Sequence, residues 1–181
     1  MKKVLLFFAD GAEEIEALTP VDLLRRAGIG VTVVGLGGKT QTGSHGIGVN
    51  TDISLDDLGE NADFDMIVLP GGMKGMQNLD SSPCVERYID RAMKENKFVA
   101  AICAAPTILG RRGLLKGRRA TCYPGMEGEL YGATTGGKVV RDGNIITAAG
   151  AGVSVDFGLC LISALSGEEM SAKIKNSIVA G

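Results

Sequence analysis

The chain has 181 residues, a formal net charge of −2, no tryptophan, three tyrosines and five phenylalanines. That length fits one domain able to bury roughly 70% of its unfolded surface without covalent staples, so residues 1–181 are read as a single domain. Neither the basic footprint nor the stacking platform of a nucleic-acid binder is present, and no apolar run approaches the roughly 18 residues needed to cross a bilayer.

Val4 to Phe8 follows Met1-Lys2-Lys3 and meets Asp10-Gly11 and Glu13-Glu14 at once, which is too short for a secretory core and reads as a first strand. A helix is predicted from Glu14 to Ala27, stopped by Gly28 and tolerating Pro20 as a kink. Strands follow at Val31–Leu36, Met66–Leu69, Phe98–Ile102 and Ile145–Ala148. Further helices are predicted from Ser82-Pro83 to Asn96, over Ala104–Arg112 and over Ser154–Leu165. Two segments look like small antiparallel additions at a sheet edge: the glycine-rich Gly37 to Asn50, and Val139 to Ile146 with its Asp142-Gly143 turn signal. Apolar strands alternating with helices predict an α/β fold, doubly wound, with a mostly parallel sheet, helices on both faces and a small edge hairpin.

In such sheets ligands collect at the carboxyl ends of strands, where strand order reverses. Three of those ends carry chemistry. After Phe98–Ile102 comes Cys103, followed by Ala104-Ala105-Pro106. Unpaired amides and a helix dipole there favour thiolate, which lowers a reference pKa near 8.5 into the range of about 3.5 to 7.5. Packing as a small hydrophobe is the other reading of the same cysteine. Gly71-Gly72, directly after Leu69-Pro70, lets backbone N–H groups approach a bound atom, and with the Ala104 N–H they form a candidate oxyanion site. Glu13, Glu14 and Glu16 open the first helix, where acids complement the dipole. One of them, buried beside sulfur, would have its pKa raised, but periodicity does not choose which.

The cysteines Cys84, Cys103, Cys122 and Cys160 contain no C-x-x-C pair, and His45 is the single histidine. Zinc and thioredoxin-type chemistry are therefore disfavoured, no metal or cofactor is expected, and free thiols fit a cytoplasmic protein.

Gly11-Ala12-Glu13-Glu14-Ile15-Glu16, Pro20-Val21-Asp22-Leu23-Leu24, Val68-Leu69-Pro70-Gly71-Gly72, Ala100-Ala101-Ile102-Cys103-Ala104-Ala105-Pro106 and Gly150-Ala151-Gly152 together resemble the ThiJ/PfpI superfamily, more narrowly its protein deglycase branch. The resemblance implies a flavodoxin-like fold, a homodimer, Cys103 as an oxidation-sensitive nucleophile and Glu16 as the protonated acid beside it, with Gly71, Gly72 and Ala104 lining the anion site. It implies a glyoxalase or deglycase of methylglyoxal-type 2-oxoaldehydes or early glycation adducts, acting through a hemithioacetal. The alternative is a redox-responsive stress protein or chaperone with little turnover.

Two departures stand out. The branch places a histidine before a proline where this chain has Tyr123-Pro124, so Tyr123 either lines the pocket or is structural. Ala104 follows the cysteine where the peptidases of the superfamily carry histidine, which disfavours a peptidase. His45 matches an arginine that approaches the partner subunit's site in the branch; an exposed loop residue is the other reading. A role in thiazole synthesis has no phosphate loop to support it.

Overall fold

Val4-Leu5-Leu6-Phe7-Phe8 is apolar on both faces, and such a strand is stable only where helices cover the sheet on both sides. The computed structural model describes residues 1–59 and 61–181. In it β1 (Lys3–Phe8) leads through α1 (Glu14–Arg26) to β2 (Gly30–Gly35), a short hairpin of β3 (Thr40–Thr42) and β4 (Gly48–Asn50), and β5 (Ile53–Ser54). β6 (Met66–Leu69), α2 (Met73–Asp80), α3 (Pro83–Lys94), β7 (Phe98–Ile102) and α4 (Pro106–Arg111) follow. β8 (Arg119–Ala120), β9 (Thr134–Thr135), β10 (Val139–Asp142), β11 (Ile145–Ala148), α5 (Ser154–Ser166) and α6 (Glu168–Ser177) complete the described elements.

Seven strands form one sheet in the order β10-β11-β7-β6-β1-β2-β5, parallel except for β10 against β11. On one face Leu5, Phe7, Ile67, Leu69 and Val99 pack under α2, α3 and α4 through Met76, Leu79, Ile89 and Ile108. On the other, Leu6, Phe8, Val68, Ala100 and Ile102 pack under α1 and α5 through Ala17, Leu24, Phe157 and Leu161. The chain leaves β1 toward β2 on one side and returns to β6 on the other, so strand order reverses between β1 and β6. The carboxyl ends of β1, β6 and β7 meet beside that point.

The predicted strands and the doubly wound architecture are present, and α3 opens as predicted on Ser82, whose hydroxyl accepts from Val85 N–H. The β10–β11 hairpin lies at the sheet edge as predicted, and three features differ in detail. The glycine-rich hairpin does not extend the main sheet: β3 and β4 pair only with each other, and β5 is the edge. The hairpin's backbone is instead bonded to the turn before α1, where Ser44 N–H donates to Ala12 O and Thr42 O accepts from Gly11 N–H. In the β10–β11 hairpin Asp142 pairs with Ile145, so the two loop residues are Gly143 and Asn144, and Gly143 takes the positive φ of 59° that the turn requires. Helix α2 carries little sequence signal, because Gly75 weakens its propensity and only Gly75, Met76 and Leu79 of it are buried.

Candidate functional site

Strand β7 ends in buried Ile102, and the next residue turns out of the sheet. Cys103 has φ 64°, in the left-handed region that side chains rarely adopt. Its backbone is held there from both sides: Cys103 N–H donates to Ala148 O at 2.8 Å, and Tyr123 N–H donates to Cys103 O at 2.8 Å. Strain of this kind, on the order of 1–3 kcal/mol, persists only where surrounding structure over-determines it.

The elbow sets the thiol against the first turn of α1. Glu13 caps that helix by accepting from Glu16 N–H at 2.8 Å, and Glu16 points inward with 1% of its surface exposed. Gly71 N–H donates to Glu16 Oε2 at 3.0 Å. Gly71 can lie there only without a side chain, since a Cβ would collide with Glu16 Oε2 and stand 2.6 Å from Cys103 Cβ.

Burial pushes the Glu16 carboxyl up to about 7; the nearby Glu13 charge adds to this, while hydrogen bonds from Cys103, Gly71 and Ala151 oppose it. The Cys103 thiol is pushed up to about 12, first by burial, then by the Glu16 charge and by the hydrogen bond shared with it, against the pull of the Gly72 and Ala104 N–H groups. This corrects the expectation of a depressed thiol pKa. The amides are present, but α4 has six residues, so its dipole is short, and a carboxylate shares the thiol's desolvated space. The Glu16 carboxyl and the Cys103 thiol are thus set against each other in one desolvated space.

Cys103, Glu16, Gly71, Gly72 and Ala104 therefore converge. Their roles divide: Gly72 and Ala104 direct N–H groups at sulfur, whereas the Gly71 N–H is committed to Glu16 and serves to position it. Tyr123 is 52% exposed. Its ring lies along Gly150, where a Cβ would be 3.6 Å from Tyr123 Cδ2 and 3.9 Å from Glu16 Oε1. Tyr123, Gly150 and Ala151 line a cavity of about 620 Å³ that also reaches Lys138.

His45 is not at the sulfur. It sits exposed in the β3–β4 loop, its Nδ1 3.0 Å from Glu14 Oε2 and its N–H donating to Glu14 Oε1 at 2.8 Å. Glu14, which the sequence marks only as one helix-start acid among three, is 4% exposed. Burial pushes its carboxyl up, but the hydrogen bonds from the His45 ring and from the N–H groups of His45, Glu14 and Ile47 outweigh this and hold it at about 2. The signal for this contact is Gly43, where a Cβ would collide with the Glu14 carboxylate. Glu13, Glu14 and His45 bring potential metal-ligating atoms within 4.8 Å of one another. The Glu14 oxygens, however, already accept from Ser44 and from the ring and N–H of His45, and Glu13 Oε2 is the helix cap.

Residues 2–164 match the DJ-1/PfpI family. The chain is 39% identical over 184 aligned residues to the Parkinson disease protein 7 homolog of Danio rerio, covering 98% of this chain and 97% of that protein. It is 34% identical over 149 residues to a deglycase of Pyrococcus abyssi, covering 81% and 89%. The structure described as Toxoplasma gondii DJ-1, oxidized, superposes with a TM-score of 0.94 at 34% identity, covering 99% and 98%.

Proposed function

Because the chain belongs to the DJ-1/PfpI family, we propose that it is a cysteine-dependent glyoxalase or deglycase, acting on 2-oxoaldehydes such as methylglyoxal or on early glycation adducts. The observation that carries this reading is the buried Glu16 carboxyl held by Gly71 N–H against Cys103. Cys103 Sγ attacks the aldehyde carbon while Glu16 takes the thiol proton, and the resulting oxyanion is held by the Gly72 and Ala104 N–H groups. Glu16 then moves a proton from the former aldehyde carbon to the neighbouring ketone carbon, converting the hemithioacetal to a thioester of the 2-hydroxy acid. Water cleaves the thioester, releasing lactate from methylglyoxal and restoring the thiol. The aldehyde carbon is oxidised and the ketone reduced within one molecule, so no cofactor enters the balance.

The test is lactate release from methylglyoxal by the wild type and by Cys103→Ser. Wild-type release above the enzyme-free rate, lost in the variant, supports the reading; equal rates overturn it. Ala104 after the nucleophile and His45 bound to Glu14 leave no imidazole beside sulfur among the described residues, which argues against peptidase chemistry.

A second reading is favoured by the N–H groups of Gly72 and Ala104, which would equally hold a sulfenate or sulfinate oxygen, and by Tyr123 standing where the branch carries histidine. Here peroxide oxidises Cys103, one oxygen passing to sulfur and the other leaving as water, and the product changes stability or partners. Intact mass after one equivalent of peroxide decides it, since an unmodified Cys103 removes its basis. In either case we propose a cytoplasmic homodimer joined through Ile15 and Leu18, the apolar side chains that α1 leaves exposed. Sedimentation of Leu18→Arg as a monomer supports that surface, and an unchanged mass overturns it. No described helix is long and apolar enough to cross a membrane.

A further inference from the structure

A second cavity, of about 430 Å³, lies between the segment after β5 and helix α3, and none of its lining residues belongs to the Cys103 site. Cys84, Arg87, Tyr88 and Arg91 line it from α3, at the i, i+3, i+4, i+7 spacing that places side chains on one helix face. Leu55 and Leu58 supply apolar wall from the opposite side. The segment is fastened over the helix at two points: Tyr88 Oη donates to Gly59 O at 2.7 Å, and Arg91 Nη1 donates to Ala62 O at 2.9 Å. Arg91 also lies over the Phe64 ring, 5.1 Å from its centroid.

An amphipathic helix buries apolar side chains along such a stripe. Here the stripe carries a thiol, a buried tyrosine and two guanidinium groups, and it faces a space of ligand size. Asp56 is the one acid lining the cavity among the described residues; Arg91 is paired with Glu95 at 2.9 Å, so Arg87 carries the charge that meets a ligand. Arg87 stands exposed at the rim, and Cys84 is half-buried. Such a cavity selects a small organic anion with an apolar body, and its thiol adds reactivity toward one subset of those anions.

We propose that this cavity is a second ligand site for small organic anions, and that anionic low-molecular-weight disulfides bound there thiolate Cys84. Cys84 gives its proton to solvent and its sulfur attacks one sulfur of the disulfide. The new sulfur–sulfur bond forms as the old one breaks, and the departing thiolate leaves with the electron pair. Cys84 is oxidised and the released half is reduced. The proposal is independent of turnover at Cys103.

The experiment follows modification of Cys84 in the full-length protein by peptide mass, using dianionic dithiobis(nitrobenzoate) and uncharged dithiodipyridine. Charge reversal in Arg87→Glu is expected to slow the anionic reagent about three- to tenfold, from the interaction of exposed charges at short range, while the neutral reagent reacts at the wild-type rate. Excess benzoate is expected to slow both reagents at Cys84. An equal effect of Arg87→Glu on both reagents, no effect on either, or a Cys84 that neither modifies in the folded protein overturns the proposal.

Discussion

Gly71 and Glu16 are joined by a hydrogen bond of 3.0 Å from the glycine N–H to Oε2, at a point where the carboxylate oxygen occupies the space a side chain on residue 71 would fill. The missing Cβ, rather than backbone conformation, is what allows the carboxyl to lie against Cys103. Gly71→Ala is therefore expected to displace Glu16 at an overpacking cost of roughly 1–3 kcal/mol. Urea unfolding measures the stability loss. Alkylation of Cys103 against pH measures the separation of the pair, with the thiol pKa expected below its wild-type value once the carboxylate has moved away.

Glu16 gives the protein a pH dependence of definite sign. Its carboxyl lies near 7 in the folded state against an ordinary value of 4.5, so the folded state binds the proton more tightly. The resulting stability is fully present below about pH 4.5 and is lost as pH rises through about 7, at most on the order of 3 kcal/mol. Glu16→Gln keeps the shape without the charge and is expected to flatten this slope between about pH 4.5 and 7 in urea midpoints, the interval bounded by those two values. The same substitution removes the charge that raises the Cys103 thiol, so alkylation at mildly alkaline pH should quicken while lactate formation falls. If both rates moved in the same direction, Glu16 would have no proton-transfer role.

The Glu14–His45 contact works across a different window. Glu14 is held at about 2, so its contribution is present above about pH 4.5 and is lost as pH falls toward 2. The His45 ring is raised above 6.5 by its hydrogen bond to Glu14, so its contribution is present below 6.5 and fades as pH rises through the folded value. The clasp between the β3–β4 loop and α1 should therefore be strongest between about pH 4.5 and 6.5. Glu14→Gln is expected to cost about 1–2 kcal/mol in that window, and amide exchange at His45 and Ile47 should accelerate. His45→Ala should cost less, because the backbone donors to Glu14 remain.

The elbow was legible because its signals are local. An apolar run, a thiol, small residues and Pro106 specify a strand end and a tight turn, and paired glycines at the end of β6 mark a close approach. What escaped the sequence was the outcome of competition between distant groups. The direction of the Cys103 shift depends on Glu16 being buried with the sulfur and on α4 stopping after six residues, neither of which the residues around Cys103 encode. Glu14 likewise looks like any helix-start acid until the β3–β4 loop folds over it, and pairing at the sheet edge is the default expectation for a glycine-rich hairpin. The resemblance of the Glu13-to-Glu16 segment to the superfamily singled out Glu16, where periodicity left three acids equivalent.

Tyr123 separates chemistry from scaffold at the same site. Its backbone N–H holds the Cys103 carbonyl at 2.8 Å whatever side chain it carries, so substitution leaves the elbow intact. Its ring, half-exposed along Gly150, stands at the cavity wall, and Glu16 Oε1 approaches the same glycine. A phenol with a reference pKa near 10 is a weak general base at neutral pH, whereas an imidazole near 6.5 is a good one, and a positioned base contributes typically about 10²- to 10⁴-fold. Tyr123→His is therefore expected to raise kcat for methylglyoxal at least about tenfold, with KM little changed and a new limb in the pH–rate profile near the imidazole pKa. Tyr123→Phe, which keeps the ring and removes the hydroxyl, should leave kcat near the wild-type value. A Tyr123→His protein that folds normally and turns over no faster would mean that Glu16 alone moves the protons and that the missing histidine does not limit the reaction.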